Sequence, residues 1–371
     1  MSEIRKVAIL GAGHGGCCAA ADLTLRGYDV RLHSRSSGRL ASLAGGITLR
    51  GVREGIAKPH LMTTDLKSVV EHVDLVMLVV PSIAHEYYAQ ALAPLLTPGM
   101  IVFLNPGHTG GALHFASSLA KANAPSVLLC ETVTLTYICR MEGSTTVAMY
   151  RETTNLRFAA IPAHQTQELV RRFRPIFPNL KPAANVLETG LMNINAVIHP
   201  AGMLMNTGWI EYKNGDFLFY KEGITPAVAR VIEAVDRERL AIGSKFGLLL
   251  PTFIDYFCEA GLTSEAACQS RSVYRAMQES YPNRTIKSPT SLNHRYLHED
   301  VGYGLVPMVE FGRLANISTP TMESLITLSS IAQGVDYWRE GLTLQQMNLE
   351  GLSIEELLKV VTEGNSARHK K

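Results

Sequence analysis

Residues 6–16 read Lys-Val-Ala-Ile-Leu-Gly-Ala-Gly-His-Gly-Gly and join a short apolar run to a glycine-rich turn. The apolar run is typical of a buried parallel strand, and the residues from about Gly15 to Arg26 predict a helix. A GxGxxG pattern between a strand and a helix is typical of a dinucleotide-binding turn, because glycine permits the tight turn and lets the backbone approach a pyrophosphate. The helix N-terminus then meets the phosphate charge. The residues predicted to bind the cofactor here are Gly11, Gly13, His14, Gly15 and Gly16.

Strands and helices alternate through the first half of the chain. Further buried strands are predicted at residues 29–33, 74–80, 100–104 and 126–130, with helices between them at 83–96 and 111–122. This alternation is typical of a doubly wound, mostly parallel sheet. Residues 1–188 are therefore predicted to form an α/β Rossmann domain.

Beyond about residue 190 the apolar residues recur at helical spacing instead. Helices are predicted at residues 191–211, 226–245, 251–260, 265–280, 302–315, 319–336 and 352–363. We therefore predict an all-α second domain over residues 189–363. The basic segment that ends the chain, residues 364–371, is predicted to be a flexible tail, because short terminal segments fray.

Composition excludes several classes of function. The 371 residues carry a formal net charge of +2, which is too mild to indicate a nucleic-acid or membrane partner. No stretch is apolar for long enough to span a membrane, and we expect no signal peptide, because the first residues lead directly into a predicted strand. The six cysteines lack the spacing of a metal site. We expect reduced cysteines, no bound metal and a cytoplasmic protein.

The end of the second predicted strand bears on the choice between NAD and NADP. Residues 33–39 contain no carboxylate for a ribose hydroxyl, whereas Ser34 and Arg35 can bind a 2′-phosphate. NADP is therefore favoured over NAD, although these residues would also suit a solvated loop. Pro81 ends the third long strand at the sheet edge where ligands bind, and it is predicted to contact the cofactor.

Three residues of the second half could perform acid–base chemistry and bind an acidic substrate. His199 lies in an apolar helix, four residues after Asn195, and an imidazole with a pKa of about 6.5 suits the proton transfer that accompanies hydride transfer. Asp300 could orient that imidazole, and Arg295 could grip a carboxylate. The alternatives are a core histidine, a helix N-cap and a surface ion pair.

These residues together resemble one known family, the octopine/nopaline (opine) dehydrogenases. The likeness rests on the glycine turn, on Asn-x-Asn-x-x-x-His-Pro at residues 193–200, and on Arg-Tyr-Leu-x-x-Asp-Val-x-x-Gly-Leu at residues 295–305. Residues 131–140 are similar to the family's ET-x-TLPYACR strand, from which Thr136 and Ile138 depart. His14 replaces an asparagine that is common in the family's glycine turn.

The resemblance implies an enzyme that condenses an amino acid with a 2-oxo acid and reduces the imine with NADPH or NADH. It also implies a helical domain like the C-terminal domain of 6-phosphogluconate dehydrogenase. His199 would be the acid/base, Asp300 its partner and Arg295 a binder of substrate carboxylate. Thr134 and Asn195 are predicted to contact substrate as well.

Two other functions remain open. Relatives of ketopantoate reductase or glycerol-3-phosphate dehydrogenase share the two-domain plan but use a lysine in the first helix of the second domain; residues 191–211 contain no lysine, and Asn193 stands in its place. A non-catalytic NADP-binding sensor would use the same glycine turn without needing His199. Apolar helix faces such as residues 319–337 would also suit a homodimer.

Overall fold

The computed structural model describes residues 3–364. Contacts between Cα atoms divide these residues into two compact units, and the division falls between Thr189 and Gly190. Residues 359–364 group with the first unit, whereas residues 359–363 were predicted to belong to the helical domain. A local reason is that His164 Nδ1 lies 3.4 Å from the carbonyl oxygen of Thr362. Apart from Gly364, the predicted tail lies outside the described residues.

The first unit contains two sheets. Its strands are β1 (Lys6–Leu10), β2 (Asp29–His33), β3 (Ile47–Gly51), β4 (Gly55–Ala57), β5 (Leu61–Thr63), β6 (Leu75–Leu78), β7 (Ile101–Leu104), β8 (Leu128–Thr132), β9 (Tyr137–Glu142), β10 (Thr146–Glu152), β11 (Leu156–Ile161) and β12 (Leu180–Pro182). Its helices are α1 (His14–Leu25), α2 (Ser37–Ser42), α3 (Leu66–Val70), α4 (His85–Leu92), α5 (Gly111–Lys121), α6 (Thr166–Phe173) and α7 (Val186–Leu191), the last of which crosses the division.

The larger sheet has eight strands in the order β12-β11-β8-β7-β6-β1-β2-β5. All neighbours are parallel except β8 and β11. The residues of β6 and β7 are buried throughout, as expected for parallel strands covered on both faces. The predicted doubly wound, mostly parallel sheet is confirmed, and β1 lies between β2 and β6, where its glycine turn emerges at the carboxyl edge.

The second sheet was not predicted from the sequence. It has four strands in the order β4-β3-β10-β9, in which β9 and β10 form an antiparallel hairpin and β3 pairs with β10 in parallel. Exposed and buried residues mix along β9, so its sequence lacks the continuous apolar run that identified the central strands.

The second unit is helical. Its elements are α8 (Ile194–Met205), α9 (Thr207–Lys213), α10 (Pro226–Lys245), α11 (Phe253–Glu259), α12 (Glu265–Ser270), α13 (Val273–Gln278), α14 (Arg295–Asp300), a π-helical turn (Val301–Leu305), α15 (Val306–Leu314), α16 (Pro320–Gln333), α17 (Tyr337–Glu340) and α18 (Ile354–Glu363), which crosses the division. The predicted all-α character is confirmed. Within residues 3–364, no helix is both long and apolar enough to cross a membrane.

A buried ion pair ties three helical segments of the second unit together. The Arg239 guanidinium lies 2.7 Å from Asp236 and also donates to the carbonyl oxygens of Leu191 and Pro251. The remaining Asp236 oxygen accepts from the backbone N–H of Phe253. Because every polar atom in this group has a partner, the charge is buried without the large penalty of an unpaired ion.

The expectation that all cysteines are reduced is wrong at one pair. Cys258 and Cys268 form a disulfide, with their Cα atoms 5.9 Å apart. The two residues lie on α11 and α12, which are joined by a short turn that brings them within bonding reach. The sequence did not predict this disulfide, because the pattern of apolar residues does not show the turn between α11 and α12.

Candidate active site

The glycine turn between β1 and α1 is packed tightly on its inner side and open on its outer side. Gly11 has a φ of +115°, and a Cβ there would lie 2.3 Å from the carbonyl oxygen of Val79. A Cβ on Gly16 would lie 1.8 Å from the carbonyl oxygen of Gly11. At Gly13, the N-cap of α1, a Cβ would meet nothing within 4 Å. The turn therefore leaves an open cradle at a helix N-terminus, which fits a cofactor pyrophosphate.

His14 and Arg39 fix this turn from two sides. The Nδ1 of His14 accepts a hydrogen bond of 3.3 Å from the N–H of Met141, which links the start of α1 to β9. The Nε of Arg39 donates to the carbonyl oxygen of Ala12 at 2.9 Å. Sequence reasoning missed Arg39, although it stands three residues after Ser36, whose hydroxyl caps α2 by accepting from the Arg39 N–H.

The other predicted cofactor residues lie at the carboxyl ends of the strands beside β1. Ser34 follows β2 and is buried, and its hydroxyl accepts from the N–H of Ser36 at 3.2 Å. Arg35 is exposed, with its guanidinium 5.2 Å from the ring centre of Tyr87. Pro81 is exposed after β6, at the start of a 3₁₀ turn. The structure thus brings these positions to one edge of the sheet, and their contact with a cofactor remains a prediction.

The predicted strand over residues 131–140 is interrupted by a loop between β8 and β9, and Asn105, which follows β7, holds the loop at Thr136. Asn105 Oδ1 accepts from the N–H of Thr136 at 3.0 Å, and its Nδ2 donates to the Thr136 hydroxyl at 2.9 Å. A proline at this position would offer neither group. Thr136 is thus bound through both its N–H and its hydroxyl, and Thr134 lies partly exposed in the same loop between β8 and β9.

A buried carboxyl group that the sequence analysis did not single out lies on β8. Burial raises the pKa of Glu131 to about 8, against the opposing effect of hydrogen bonds from the Thr189 hydroxyl and the Ala112 N–H. Glu131 is 1% exposed. At neutral pH this carboxyl therefore tends to keep its proton.

The second unit contains the predicted acid–base pair. His199 on α8 and Asp300 at the end of α14 are both buried, and His199 Nδ1 lies 2.7 Å from Asp300 Oδ2. An ionised carboxylate only accepts hydrogen bonds, so beside such a carboxylate a neutral imidazole carries its hydrogen on Nδ1 and uses Nε2 as the acceptor. Nε2 lies 2.7 Å from the Tyr220 hydroxyl. The Tyr296 ring stacks on the imidazole, with ring centres 3.7 Å apart.

A close helix contact allows this pairing. A Cβ on Gly304, in the π-helical turn that follows Asp300, would lie 2.6 Å from Cβ of Ala196 on α8. Pro200 lies within α8, which continues to Met205. Asp300 makes no side-chain capping bond to the turn that follows it. Its side chain is therefore committed to the imidazole, and the N-cap interpretation is not supported.

Arg295 and Asn195 lie near this pair in sequence and on its two helices. The Arg295 guanidinium pairs with Glu299, one turn along α14, at 2.7 Å, and the Arg295 side chain is 58% exposed. Asn195 is partly exposed on α8. Among residues 3–364, no group of three or more His, Cys, Asp or Glu side chains could hold a metal ion.

Comparisons with known proteins match both units. The family model described as NAD/NADP octopine/nopaline dehydrogenase, alpha-helical domain, matches residues 182–333, and that of ketopantoate reductase PanE/ApbA matches residues 7–135. An opine dehydrogenase from Arthrobacter sp. (strain 1C) is 36% identical over 356 residues, which cover 95% of this chain and 98% of that relative. The chain belongs to the opine dehydrogenase family. It is an NAD(P)-dependent dehydrogenase.

Solved structures of opine dehydrogenases share the fold of this family member. Octopine dehydrogenase in complex with NADH and agmatine superposes with a TM-score of 0.78 at 20% identity, covering 96% of this chain and 98% of that one. Yersinopine dehydrogenase with NADP+ bound gives a TM-score of 0.73 at 15% identity, covering 98% and 99%. The resemblance inferred from the motifs is confirmed, and a nicotinamide cofactor is common to these relatives.

Sequence reasoning about this opine dehydrogenase found the imidazole and the carboxylate but missed the aromatic residues around them. Tyr296 stood inside the quoted motif and was not assigned a role. Tyr220 lies in an irregular segment, 21 residues after His199, so no helical spacing connects the two. Only the folded chain shows that its hydroxyl reaches Nε2.

Proposed function

We propose that this protein condenses the amino group of an amino acid with the carbonyl carbon of a 2-oxo acid and reduces the imine with NAD(P)H. The observation that carries the proposal is the buried pair of His199 and Asp300, whose Nδ1 and Oδ2 atoms are 2.7 Å apart. Membership of the opine dehydrogenase family supports the same reaction. An acid–base imidazole is what such a condensation needs, since protons move at several of its steps.

In the proposed reaction, His199 moves protons in both directions. As a base, it takes a proton from the substrate ammonium, so that the amine nitrogen can attack the carbonyl carbon. As an acid, it gives a proton to the hydroxyl oxygen that leaves as water when the imine forms. Asp300 stabilises the imidazolium that exists between these steps. When bound, the nicotinamide supplies the hydride that reduces the imine carbon.

Substrate binding is proposed to depend on Arg295, Asn195 and Thr134. Both substrates carry a carboxylate, and a guanidinium binds a carboxylate through two parallel hydrogen bonds. Arg295 already pairs with Glu299 through one nitrogen, and its side chain is 58% exposed. The rest of its planar donor set is therefore available for a substrate carboxylate.

The decisive experiment supplies pairs of amino acids and 2-oxo acids with NADPH or NADH and identifies the product by mass spectrometry. His199→Ala should lower kcat on the order of 10³-fold, because general acid–base catalysis contributes about that much. His60→Ala, at an exposed histidine of the other unit, is the matched control. Cofactor oxidation that continues undiminished in His199→Ala would contradict the proposed role of His199.

The same assay tests the main alternative reaction. The ketopantoate reductase model matches residues 7–135, which favours reduction of a 2-oxo compound without an amine. In that case cofactor oxidation would need no amino acid, and the product would be a 2-hydroxy compound. Dependence on both substrates and a product that contains both carbon skeletons would exclude it.

NADP is proposed as the preferred cofactor, with Arg35 and Ser34 binding the 2′-phosphate. Arg35 is exposed after β2, and no carboxylate lies in residues 33–39. Loss of a charged hydrogen bond costs about 1.5–3 kcal/mol, so Arg35→Ser should raise KM for NADPH at least about tenfold and leave KM for NADH nearly unchanged. Arg50→Ser, at another exposed arginine, is the control. Equal effects on both cofactors would contradict this preference.

A homodimer through α16 is also proposed. Leu328 and Ile331 on this helix are 53% and 73% exposed, and apolar residues exposed together on one face can mark a protein–protein contact. Sedimentation should give twice the chain mass for the protein, and Ile331→Glu should give the mass of one chain. A monomeric wild-type protein at assay concentrations would refute the proposal.

A further inference from the structure

We propose that the Tyr220 hydroxyl relays the proton between His199 and the substrate, an inference that rests on the proposed function. In the structure the Tyr220 oxygen lies 2.7 Å from His199 Nε2, the nitrogen that an acid–base imidazole must use. Asp300 occupies the other nitrogen. A proton that leaves the ring at Nε2 therefore meets the Tyr220 oxygen first.

The residues around the imidazole leave little room for a substrate to reach its ring directly. One ring face is covered by Tyr296, which is inclined by only 12° to it, and the Phe219 ring lies 6.2 Å away in an edge-on arrangement. His199 is 6% exposed and Tyr220 is 7% exposed. Direct contact between Nε2 and a substrate atom would require the Tyr220 hydroxyl to leave its hydrogen bond.

The hydrogen bonds around the Tyr220 oxygen suit a relay. With Nδ1–H donated to Asp300, Nε2 accepts from the Tyr220 O–H. The Tyr220 oxygen can in turn accept from the Tyr296 hydroxyl, which lies 3.3 Å away. Linked hydrogen bonds of this kind polarise one another in a buried site.

The proposed step is balanced in protons. The imidazolium breaks its Nε2–H bond and gives that proton to the Tyr220 oxygen, while the Tyr220 O–H bond breaks and its proton passes to the substrate hydroxyl that leaves as water. One proton moves from His199 to the substrate, and the tyrosine is neutral before and after. The reverse sequence takes a proton from the substrate ammonium.

The backbone that directly follows Tyr220 is fixed, although the segment is irregular. Asn206 Nδ2, at the end of α8, donates to the carbonyl oxygen of Gly223 at 3.0 Å. Gln278 Nε2, at the end of α13, donates to the carbonyl oxygen of Lys221 at 2.9 Å. These two bonds fix the backbone next to Tyr220 and so keep its ring at the imidazole, as a relay requires.

Tyr220→Phe keeps the ring and removes only the hydroxyl. We expect kcat to fall about a hundredfold, with KM for both substrates and the melting temperature nearly unchanged, because the lost interaction acts on proton transfer and not on binding. Tyr212→Phe, at a tyrosine that is 85% exposed, is the matched control. A kcat of Tyr220→Phe close to that of the wild type would overturn the relay. A fall in kcat that is accompanied by a large fall in melting temperature would also overturn it.

A measurement without turnover separates this inference from the proposed function. Nitrogen-15 NMR of labelled histidine should show Nδ1–H and a hydrogen-bonded Nε2 for His199 in the wild-type protein, and Tyr220→Phe should shift the Nε2 resonance. An unshifted resonance would overturn the contact on which the relay depends. If the Nε2 resonance shifts in Tyr220→Phe but the wild-type protein turns over no pair of substrates, the contact stands and the proposed reaction is refuted.

Discussion

Asp300 is the residue that fixes which nitrogen of His199 carries the hydrogen. Its carboxyl group is buried and lies 2.7 Å from Nδ1, so in the proposed reaction it would stabilise the imidazolium and leave Nε2 for proton transfer. Asp300→Asn keeps the shape but removes the charge, and its amide can also donate to Nδ1 and select the wrong tautomer. We expect kcat to fall on the order of 10³-fold, with little change in cofactor affinity.

The control for this variant is Asp216→Asn, which changes an exposed aspartate paired with Lys287 on the surface of the same unit. Steady-state kinetics and circular dichroism together distinguish a catalytic from a folding effect. An Asp300→Asn enzyme with wild-type kcat would show that the carboxylate does not act on the imidazole.

Glu131 is a buried carboxyl whose titration should appear in the stability of the protein. Its pKa is about 8 in the folded chain, against 4.5 for an ordinary glutamate. The folded state therefore binds more protons than the unfolded state between these values, so the stabilisation is complete below pH 4.5 and is lost as the pH rises towards 8. The free energy of unfolding should fall by about 1 kcal/mol per pH unit within this window.

Glu131→Gln should flatten this slope, because the amide does not titrate but can still accept from the Ala112 N–H. Urea unfolding from pH 5 to pH 8.5 measures the slope for both proteins. Glu168→Gln, at a surface glutamate paired with Arg171, serves as the control. Parallel curves for wild type and Glu131→Gln would mean that this carboxyl is ionised in the folded state.

These residues show what a sequence can and cannot reveal about a site. His199 and Asp300 could be found because histidine chemistry is distinctive and a family motif surrounds both. Tyr220 and Glu131 could not, because their roles arise from neighbours far apart in the chain. Thr189 is 58 residues from Glu131, and its hydroxyl bond depends on the fold of the intervening strands.

The approach of α8 to the π-helical turn is the contact between elements on which the acid–base pair depends. Gly304→Ala would place a Cβ 2.6 Å from Cβ of Ala196, so the two elements must separate. Overpacking of this kind costs about 1–3 kcal/mol. We expect both a lower melting temperature and a lower kcat, because Asp300 directly precedes the turn that is displaced.

Gly302→Ala is a matched control on the same turn, since its nearest neighbour would be a Tyr337 ring carbon at 3.5 Å, an ordinary contact. Differential scanning calorimetry and kinetics of the two alanine variants should therefore differ. Equal melting temperatures and equal kcat values for the two variants would show that the close contact at Gly304 is needed for neither stability nor catalysis.

Elements with a continuous apolar pattern were predicted well, and those shaped by local turn chemistry were not. The helix predicted over residues 265–280 is divided into α12 and α13 at Arg271, which has a φ of +54° and is followed by the capping hydroxyl of Ser272. The helix predicted over 191–211 is likewise divided at Asn206. Apolar periodicity continues across such breaks, so it cannot reveal them.

At the scale of the whole molecule, the residues proposed for cofactor binding and for catalysis lie in different parts of the chain. The glycine turn belongs to the first unit, and His199 and Asp300 belong to the second. Substitutions at the glycine turn should therefore affect cofactor binding without chemistry, and substitutions of His199 or Asp300 should affect chemistry without cofactor binding. A ligand that binds only the folded protein stabilises it by about 2.7 kcal/mol at a concentration of 100 Kd, so thermal shift reports binding independently of turnover.

Gly13→Ala tests the cradle in this way. Its Cβ would meet nothing within 4 Å in the protein, so the melting temperature without cofactor should stay unchanged, but the methyl group would enter the space that the pyrophosphate needs. NADPH should then raise the melting temperature much less than in the wild type, whereas His199→Ala should respond fully. Gly45→Ala, at an exposed glycine that is equally open, should also respond fully. A full response in Gly13→Ala would place the pyrophosphate elsewhere, because a turn that tolerates the methyl group cannot be in close contact with the cofactor.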